Sequence, residues 1–180
     1  MPKPSSIFTS ESPPSCLAQL IQQRAEQMPE STAILAPGRV ALNARKLAVL
    51  SRDFHHHLRL CGIVRTDRVA VLLPSSPELA TAFLAIASSA ICVPLPPALT
   101  IAEAARRLTD THAKALVTTA GQNAEIPALA KRLGLTIINL TISTASPAGW
   151  FEWANRQALS EPDGCGVSAN SPALPPRGKK

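Results

Sequence analysis

The sequence predicts an α/β fold built on an open, mainly parallel sheet with helices on both faces. Four short apolar segments recur along the middle of the chain, at residues 68–73, 90–95, 114–119 and 135–140. Each is rich in branched side chains and lacks the polar alternation of a half-exposed strand. The stretches between them predict helices, and the resulting β-α-β-α-β-α-β order is typical of a parallel sheet covered on both faces.

The length of 180 residues suits one domain with tails. Residues 1–14, which hold four prolines, predict a disordered leader, and residues 15–140 form the domain. Residues 141–160 predict a weakly structured extension with one short helix at about 151–159, pinned to the sheet by Trp150 and Trp153. Residues 161–180 have the composition of a loop or tail.

The first elements are a helix and a hairpin. Ser15 is placed to cap the helix, its apolar stripe includes Leu20 and Ile21, and Pro29 ends it. Residues 32–42 predict two short strands joined by a turn at Pro37 and Gly38.

The next helix begins near Asn43 and carries arginines on one side. Its apolar stripe consists of Leu47, Leu50, Phe54, Leu58 and Cys61. Arg45, Arg52 and Arg59 fall on the opposite side, and Gly62 suits a left-handed C-cap. The pattern predicts a solvated helix face. Nucleic-acid binding would require aromatic platforms or a known motif beside the basic residues, and the sequence shows neither.

Residues 79–102 contain no charged side chain, which raises the possibility of a membrane span. Prolines interrupt the region, and the helical part from Pro77 to Ala90 would extend only about 20 Å against a hydrocarbon core of about 30 Å. Ser75 or Ser76 can cap it, and Glu78 favours the positive end of the helix dipole. The pattern therefore predicts strand, helix and strand of a soluble domain.

Two further helices complete the prediction. Thr100 and Glu103 form a capping box for one of them. The last helix covers residues 124–133, with Pro127 in its first turn and Gly134 after its end.

Candidate catalytic and metal-binding residues are few. His55, His56 and His57 are consecutive, so in a helix they point about 100° apart and cannot converge on one ion. His112 precedes a strand and is interpreted as a surface or packing residue. Cys165 is interpreted as a loop cysteine, since no base or dipole activates it. We therefore assign no catalytic, cofactor-binding or metal residue.

The other cysteines, Cys16, Cys61 and Cys92, form no C-x-x-C pair, which argues against a zinc site or a disulfide framework. Residues 1–15 contain no apolar run typical of a signal peptide. Both observations favour a cytoplasmic location.

The order of motifs resembles the N-terminal subdomain of the adenylate-forming enzymes, which include acyl-CoA synthetases, adenylation domains of peptide synthetases and luciferase. The resemblance rests on "LAQLIQQRAEQMPESTAIL", "ALNARKLAVLSRDFHHHLRLCGI" and "DRVAVLLPSSPELATAFLAIASSAICVPLPPALTIAEAARRLTDTHAKALVT". It is strong over residues 17–119 and continues weakly to residue 174. Departures include Ser89 where the family usually has glycine, Pro96 in place of a polar residue, and Asn43-Ala44 in place of Thr-Tyr.

The resemblance implies an AMP-dependent ligase that converts a carboxylate and ATP to an acyl-adenylate and then forms a thioester, with ATP, Mg and CoA or phosphopantetheine as cofactors. The family's Ser/Thr/Gly-rich phosphate loop would fall where "SPALPPRGKK" stands, and no "SGTTG" occurs. The family's ATP loop and catalytic lysine are therefore missing from these 180 residues, and we expect none of these cofactors to bind this chain.

Two functions follow as hypotheses. The first is an N-terminal fragment of an acyl-CoA synthetase-like enzyme, inactive alone. The alternative is a non-catalytic partner or regulatory module that docks on a full-length synthetase. The expected partners are a complementary synthetase fragment or a second copy, bound through the open sheet edge.

Overall fold

The computed structural model describes residues 16–119, 121 and 125–154 of the chain. In chain order the elements are α1 (Leu17–Gln27), β1 (Thr32–Ile34), β2 (Leu42–Asn43), α2 (Ala44–Leu60), β3 (Arg68–Val71), α3 (Pro77–Ala87), β4 (Ile91–Pro94), α4 (Ile101–Asp110), β5 (Ala113–Thr119), α5 (Glu125–Arg132), β6 (Thr136–Ile142) and β7 (Phe151–Trp153).

The main sheet has five strands in the order β4-β3-β5-β6-β7. The first four are parallel, as the run of four apolar segments predicts. β1 and β2 form a separate antiparallel hairpin, which confirms the predicted pair of short strands.

β7 differs from the sequence prediction. The helix predicted at about 151–159 is wrong over Phe151–Trp153, which pair antiparallel with β6. Phe151 is buried, Glu152 is exposed and Trp153 is half-buried, so the burial follows the period of a strand. Pairing also gives the backbone groups of the β6 edge their hydrogen-bond partners, which a helix could not do. Residues 155–159 lie outside the described part of the chain.

Helices cover both faces of the sheet, as predicted, because successive strand residues point to opposite sides. Val69 and Val71 enter a core with α1, α2 and α3. Ala70, between them in sequence, enters a second core with α4 and α5. All three side chains are fully buried.

The end of α2 has the predicted cap, whereas the start of α1 does not. Gly62 has a φ of 70° after α2, and its N–H donates to Arg59 O while the Ile63 N–H donates to Leu58 O. These two bonds form a Schellman motif and confirm the predicted C-cap. α1 begins differently from the prediction: Cys16 is its N-cap residue and provides no side-chain bond, while Ser15 lies outside the described residues.

The apolar region around residues 79–102 is divided into α3, β4 and the start of α4. Ser76, one of the two predicted cap residues, accepts a hydrogen bond from the Leu79 N–H. Thr100 and Glu103 form the predicted capping box of α4. Within the described ranges, the structure contains no helix long and apolar enough to cross a membrane.

Candidate functional site

The strand order creates a candidate site at the carboxyl edge of the sheet. β3 and β5 are neighbours, yet β3 continues into α3 in the first core and β5 leads to α5 in the second. The chain therefore leaves adjacent strands toward opposite faces. Open α/β sheets bind ligands in the crevice outside the carboxyl ends of such strands.

The first turn of α3 forms one side of this edge. Ser75 is exposed, Ser76 caps the helix, and Pro77 opens it. Glu78, the second helical residue, is only 1% exposed. A buried carboxylate requires a charged or hydrogen-bonding partner, since an unpaired buried charge is strongly unfavourable.

Arg39, from the turn of the β1–β2 hairpin, supplies that partner. Its Nη1 lies 2.6 Å from Glu78 Oε1. Its Nη2 donates to the carbonyl oxygens of Ser146 at 3.1 Å and Pro147 at 2.9 Å. One guanidinium therefore joins the hairpin, α3 and the loop that follows β6.

The same carboxylate oxygen also accepts a hydrogen bond from the backbone of the β6–β7 loop. The Gly149 N–H donates to Glu78 Oε1 at 3.1 Å. Gly149 has a φ of 81°, and a Cβ at this position would collide with Thr81 Oγ1. Glycine is required here for both its backbone conformation and its lack of a side chain.

The chemistry available to this cluster is limited. Arg39 and Glu78 neutralise each other, and their other bonds go to backbone groups. Glu78 is therefore not placed to accept a proton from a ligand. Arg39 has few free N–H groups with which to bind a ligand. The cluster sets the shape of the carboxyl edge, and we assign it no step in a reaction.

The three consecutive histidines have separate surroundings, in agreement with the sequence interpretation. His56 is exposed, and the His57 ring is stacked on Trp153 with 4.2 Å between centroids and 7° between planes. Burial, followed by the nearby His56, lowers the pKa of His57 below its usual 6.5. His55 lines a cleft on the other side of α2. In the described ranges, no three His, Cys, Asp or Glu side chains are grouped so as to hold a metal ion.

The remaining candidate residues that the structure describes are not brought to the carboxyl edge. His112 is exposed, with Nδ1 at 3.1 Å from Asp110 O. Burial raises the pKa of the Cys61 thiol and raises that of Cys92 to about 12, so neither is a thiolate near neutral pH. Cys165 lies outside the described residues.

The sequence of this chain is similar to sequences of known proteins. The sequence model of the family described as AMP-binding enzyme matches residues 21–175. Malpibaldin synthetase of Mortierella alpina is 31% identical over 137 residues, which cover 75% of this chain and 2% of the synthetase. Malpinin synthetase, from the same organism, is 34% identical over 83 residues, covering 46% of this chain and 1% of that protein.

Solved structures show the same fold. The N-terminal domain of FACL13 from Mycobacterium tuberculosis has a TM-score of 0.60 and 25% identity, covering 68% of this chain and 33% of that one. A benzoate CoA ligase from Burkholderia xenovorans has a TM-score of 0.62 and 20% identity, covering 73% of this chain and 27% of the ligase. The chain thus spans about a third or less of each of these proteins.

Proposed function

Because the chain belongs to the AMP-binding enzyme family, we propose that it is the N-terminal part of an acyl-CoA synthetase-like ligase. The order of strands in the parallel sheet, β4-β3-β5-β6, is the observation that carries the proposal. In this order β3 and β5 are neighbours, and the chain continues from their carboxyl ends toward opposite faces of the sheet. α/β enzymes bind their ligands outside the carboxyl ends of such strands.

The reaction proposed for the complete ligase has two steps. A carboxylate oxygen attacks the α-phosphorus of ATP, which forms an acyl-adenylate and releases pyrophosphate. A thiol of CoA or phosphopantetheine then attacks the acyl carbon, which forms a thioester and releases AMP. We place this ligase in the cytoplasm and propose a fatty acid as the first substrate to be tested.

The described residues do not fit a site for ATP and Mg. Triphosphate binding requires cations and backbone donors around the phosphates, together with oxygen ligands for the metal. At the carboxyl edge Arg39 is neutralised by Glu78, and the hydrogen bonds of Ser76 serve the α3 cap. We therefore propose that adenylation requires residues outside the described part of the chain, and that the 180-residue chain is inactive alone.

Pyrophosphate release tests this proposal. The purified 180-residue chain, incubated with ATP, Mg and a panel of fatty and aryl acids, should release no pyrophosphate above the buffer blank. The DNA beyond the codon for Lys180 should encode a Ser/Thr/Gly-rich phosphate loop, and the joined product should release pyrophosphate with at least one acid. Robust release by the 180-residue chain would overturn the claim that it is inactive alone. Failure of the joined product would overturn the assignment as a ligase.

A second candidate function is a docking module for a synthetase, and the β4 edge favours it. In the described part of the chain, β4 pairs with β3 alone. Ile91 of β4 is 44% exposed and Phe83 of α3 is 42% exposed. An open edge beside apolar side chains favours association with another strand. We propose that a complementary synthetase fragment or a second copy would bind there.

Sedimentation velocity over a range of protein concentrations tests the docking module. Association should weaken in Ile91→Lys, since a charged residue on an edge strand opposes pairing. Lys131→Ile, on the exposed surface of α5, is the control: it exchanges the same two residue types in the opposite direction, away from β4, and should not weaken association. A chain that is monomeric at all concentrations, and that binds no separately expressed remainder of a synthetase, would exclude this function.

A further inference from the structure

A cleft opens at the amino ends of β3 and β4, at the opposite end of these strands from the carboxyl edge. α1 and α2 form its walls, and the segments that lead into the two strands close it. Its volume is about 330 Å³, within the range of small-molecule sites. An adjoining cavity of about 210 Å³ shares His55, Arg65, Ser88 and Ser89 with it.

The ionisable side chains that line the cleft are all basic. Arg52, His55 and Arg65 line the larger cavity, and Arg59 lines the smaller one. Among the described residues, neither cavity is lined by an aspartate or a glutamate.

Arg52 and Arg65 of the cleft have no acidic partner in the part of the chain that the structure describes. Arg45, about two turns before Arg52 on α2, pairs with Glu30 at 3.2 Å. Arg52 and Arg65 form no ion pair with any residue that the structure describes. Guanidinium groups stay charged near neutral pH, so both are available to an anion.

Two hydroxyl groups in the walls also lack partners. Ser51 is 7% exposed and Ser89 is 9% exposed, and both line the larger cavity. Their Oγ atoms are buried and have no hydrogen-bond partner among the described residues. Buried hydroxyls in proteins are nearly always hydrogen-bonded, so both side chains have unused hydrogen-bonding capacity in the walls of the cleft.

The rest of the lining is apolar. Ile21 of α1 is 8% exposed and belongs to the first core, and Ala48 of α2 packs against that core. The cleft therefore combines basic groups and hydroxyls with a small apolar wall. A ligand that matches both parts has an anionic head and a compact apolar body.

We propose that this cleft binds a small organic phosphate monoester. Arg52 and Arg65 would donate to the phosphate oxygens, since a guanidinium matches a phosphate with paired hydrogen bonds. Ser51 and Ser89 would donate as well after a change of rotamer, because their Oγ atoms are closed to solvent in the walls, and the organic group would pack against Ile21 and Ala48. The site is separate from the carboxyl edge, and it does not depend on the ligase activity proposed above.

Titration calorimetry with phenyl phosphate, at constant ionic strength, tests the proposal on the 180-residue chain. We expect saturable binding of one molecule per chain. Arg52→Gln and Arg65→Gln should each weaken binding by about tenfold, the loss of one charge-assisted interaction. Arg45→Gln, with the same charge change on the same helix, should bind as the unchanged chain does.

Further measurements separate the alternatives. Phenol should bind much more weakly if the phosphate is recognised, and inorganic phosphate should bind more weakly if the apolar wall contributes. A synthetic peptide of residues 1–15 should leave phenyl phosphate binding unchanged. Thermal unfolding of each variant shows whether it is folded, and Ser89→Ala offers a variant that keeps every charge and should weaken binding severalfold.

Several results would overturn the proposal. If Arg45→Gln lost as much affinity as Arg65→Gln, the effect would come from the net charge of the chain and not from the cleft. Absence of saturation, or affinity unchanged in Arg52→Gln, Arg65→Gln and Ser89→Ala, would exclude the site. Displacement of phenyl phosphate by the peptide of residues 1–15 would assign the cleft to that segment.

Discussion

Arg39 and Glu78 form an ion pair between the hairpin turn and the first turn of α3, with side chains that are 14% and 2% exposed. Carbonyl oxygens of the β6–β7 loop accept the other guanidinium hydrogens, and the Gly149 N–H donates to the carboxylate. Additional hydrogen bonds of this kind offset the cost of removing both charges from water. Three segments distant in sequence are held together at one point.

We expect Arg39→Met to destabilise the chain by about 3–5 kcal/mol, because it leaves the Glu78 carboxylate buried without its cation. Urea denaturation followed by circular dichroism measures the free energy of unfolding. Arg45→Met is the control, since its partner Glu30 is exposed and such pairs contribute about 0–1 kcal/mol. Arg39→Met combined with Glu78→Leu should recover part of the loss. Equal effects of the two single arginine substitutions would contradict the buried pair.

Gly149→Ala should be more destabilising than alanine at an unobstructed left-handed position. Gly62→Ala is the matched control, because Gly62 has a φ of 70° and a Cβ there would meet nothing within 4 Å. The control should lose about 1–2 kcal/mol from backbone strain alone. At Gly149 the collision with Thr81 Oγ1 adds to that strain. Equal melting temperatures for the two variants would show that the loop moves without cost.

The pairing of His57 with Trp153 predicts an acid-dependent loss of stability. Burial lowers the pKa of His57, so below about pH 6.5 the unfolded chain takes up a proton more readily than the folded chain. The free energy of unfolding should therefore be full above about pH 6.5 and should decrease as the pH falls below it.

His57→Phe tests the effect by removing the titrating group while keeping a ring against Trp153. Denaturation curves collected across this pH range should show a smaller pH dependence for His57→Phe than for the unchanged chain. His112→Asn is the control, because it removes an exposed imidazole that has no contact with Trp153, at a φ of 51° that asparagine tolerates. Identical pH profiles for His57→Phe and the unchanged chain would remove His57 as the source.

The capping box of α4 predicts a smaller effect. Thr100→Ala should destabilise the chain by about 1 kcal/mol, because the Glu103 N–H loses its acceptor and the Glu103 carboxylate loses the threonine hydroxyl. Thr109→Ala, an exposed threonine on the same helix, should have little effect. Thermal unfolding of the two variants measures the difference, and a Thr100→Ala chain as stable as Thr109→Ala would argue against the box.

The repeated strand-helix units could be predicted because the apolar pattern and the capping residues of each unit lie within its own short segment. The segment around Val69 to Val71 is apolar without alternation, since both faces of β3 are buried. The caps at Ser76 and Thr100 involve residues three positions apart, so they can be read directly from the sequence.

The Arg39–Glu78 pair and β7 depend on distant parts of the chain. The paired residues are 39 positions apart and come together only when the hairpin packs beside α3. The sequence predicts only that Glu78 favours the positive end of the helix dipole, because its burial depends on the packing of the hairpin and cannot be read locally. Phe151, Glu152 and Trp153 alternate over three residues, too few to distinguish strand from helix until β6 offers its edge.

The direction of β7 has a consequence for any chain that follows it. Because β7 runs antiparallel to β6, its last residue lies back from the end of β6, but only by two residues, since Trp153 pairs with Leu140 and β6 ends at Ile142. Leu140 pairs in turn with Thr119, the last residue of β5. The end of β7 is therefore level with the carboxyl end of β5, and β6 lies between them. Neighbouring strands are about 4.7–4.9 Å apart, so a segment that follows Trp153 has about 10 Å to cross before it reaches β5.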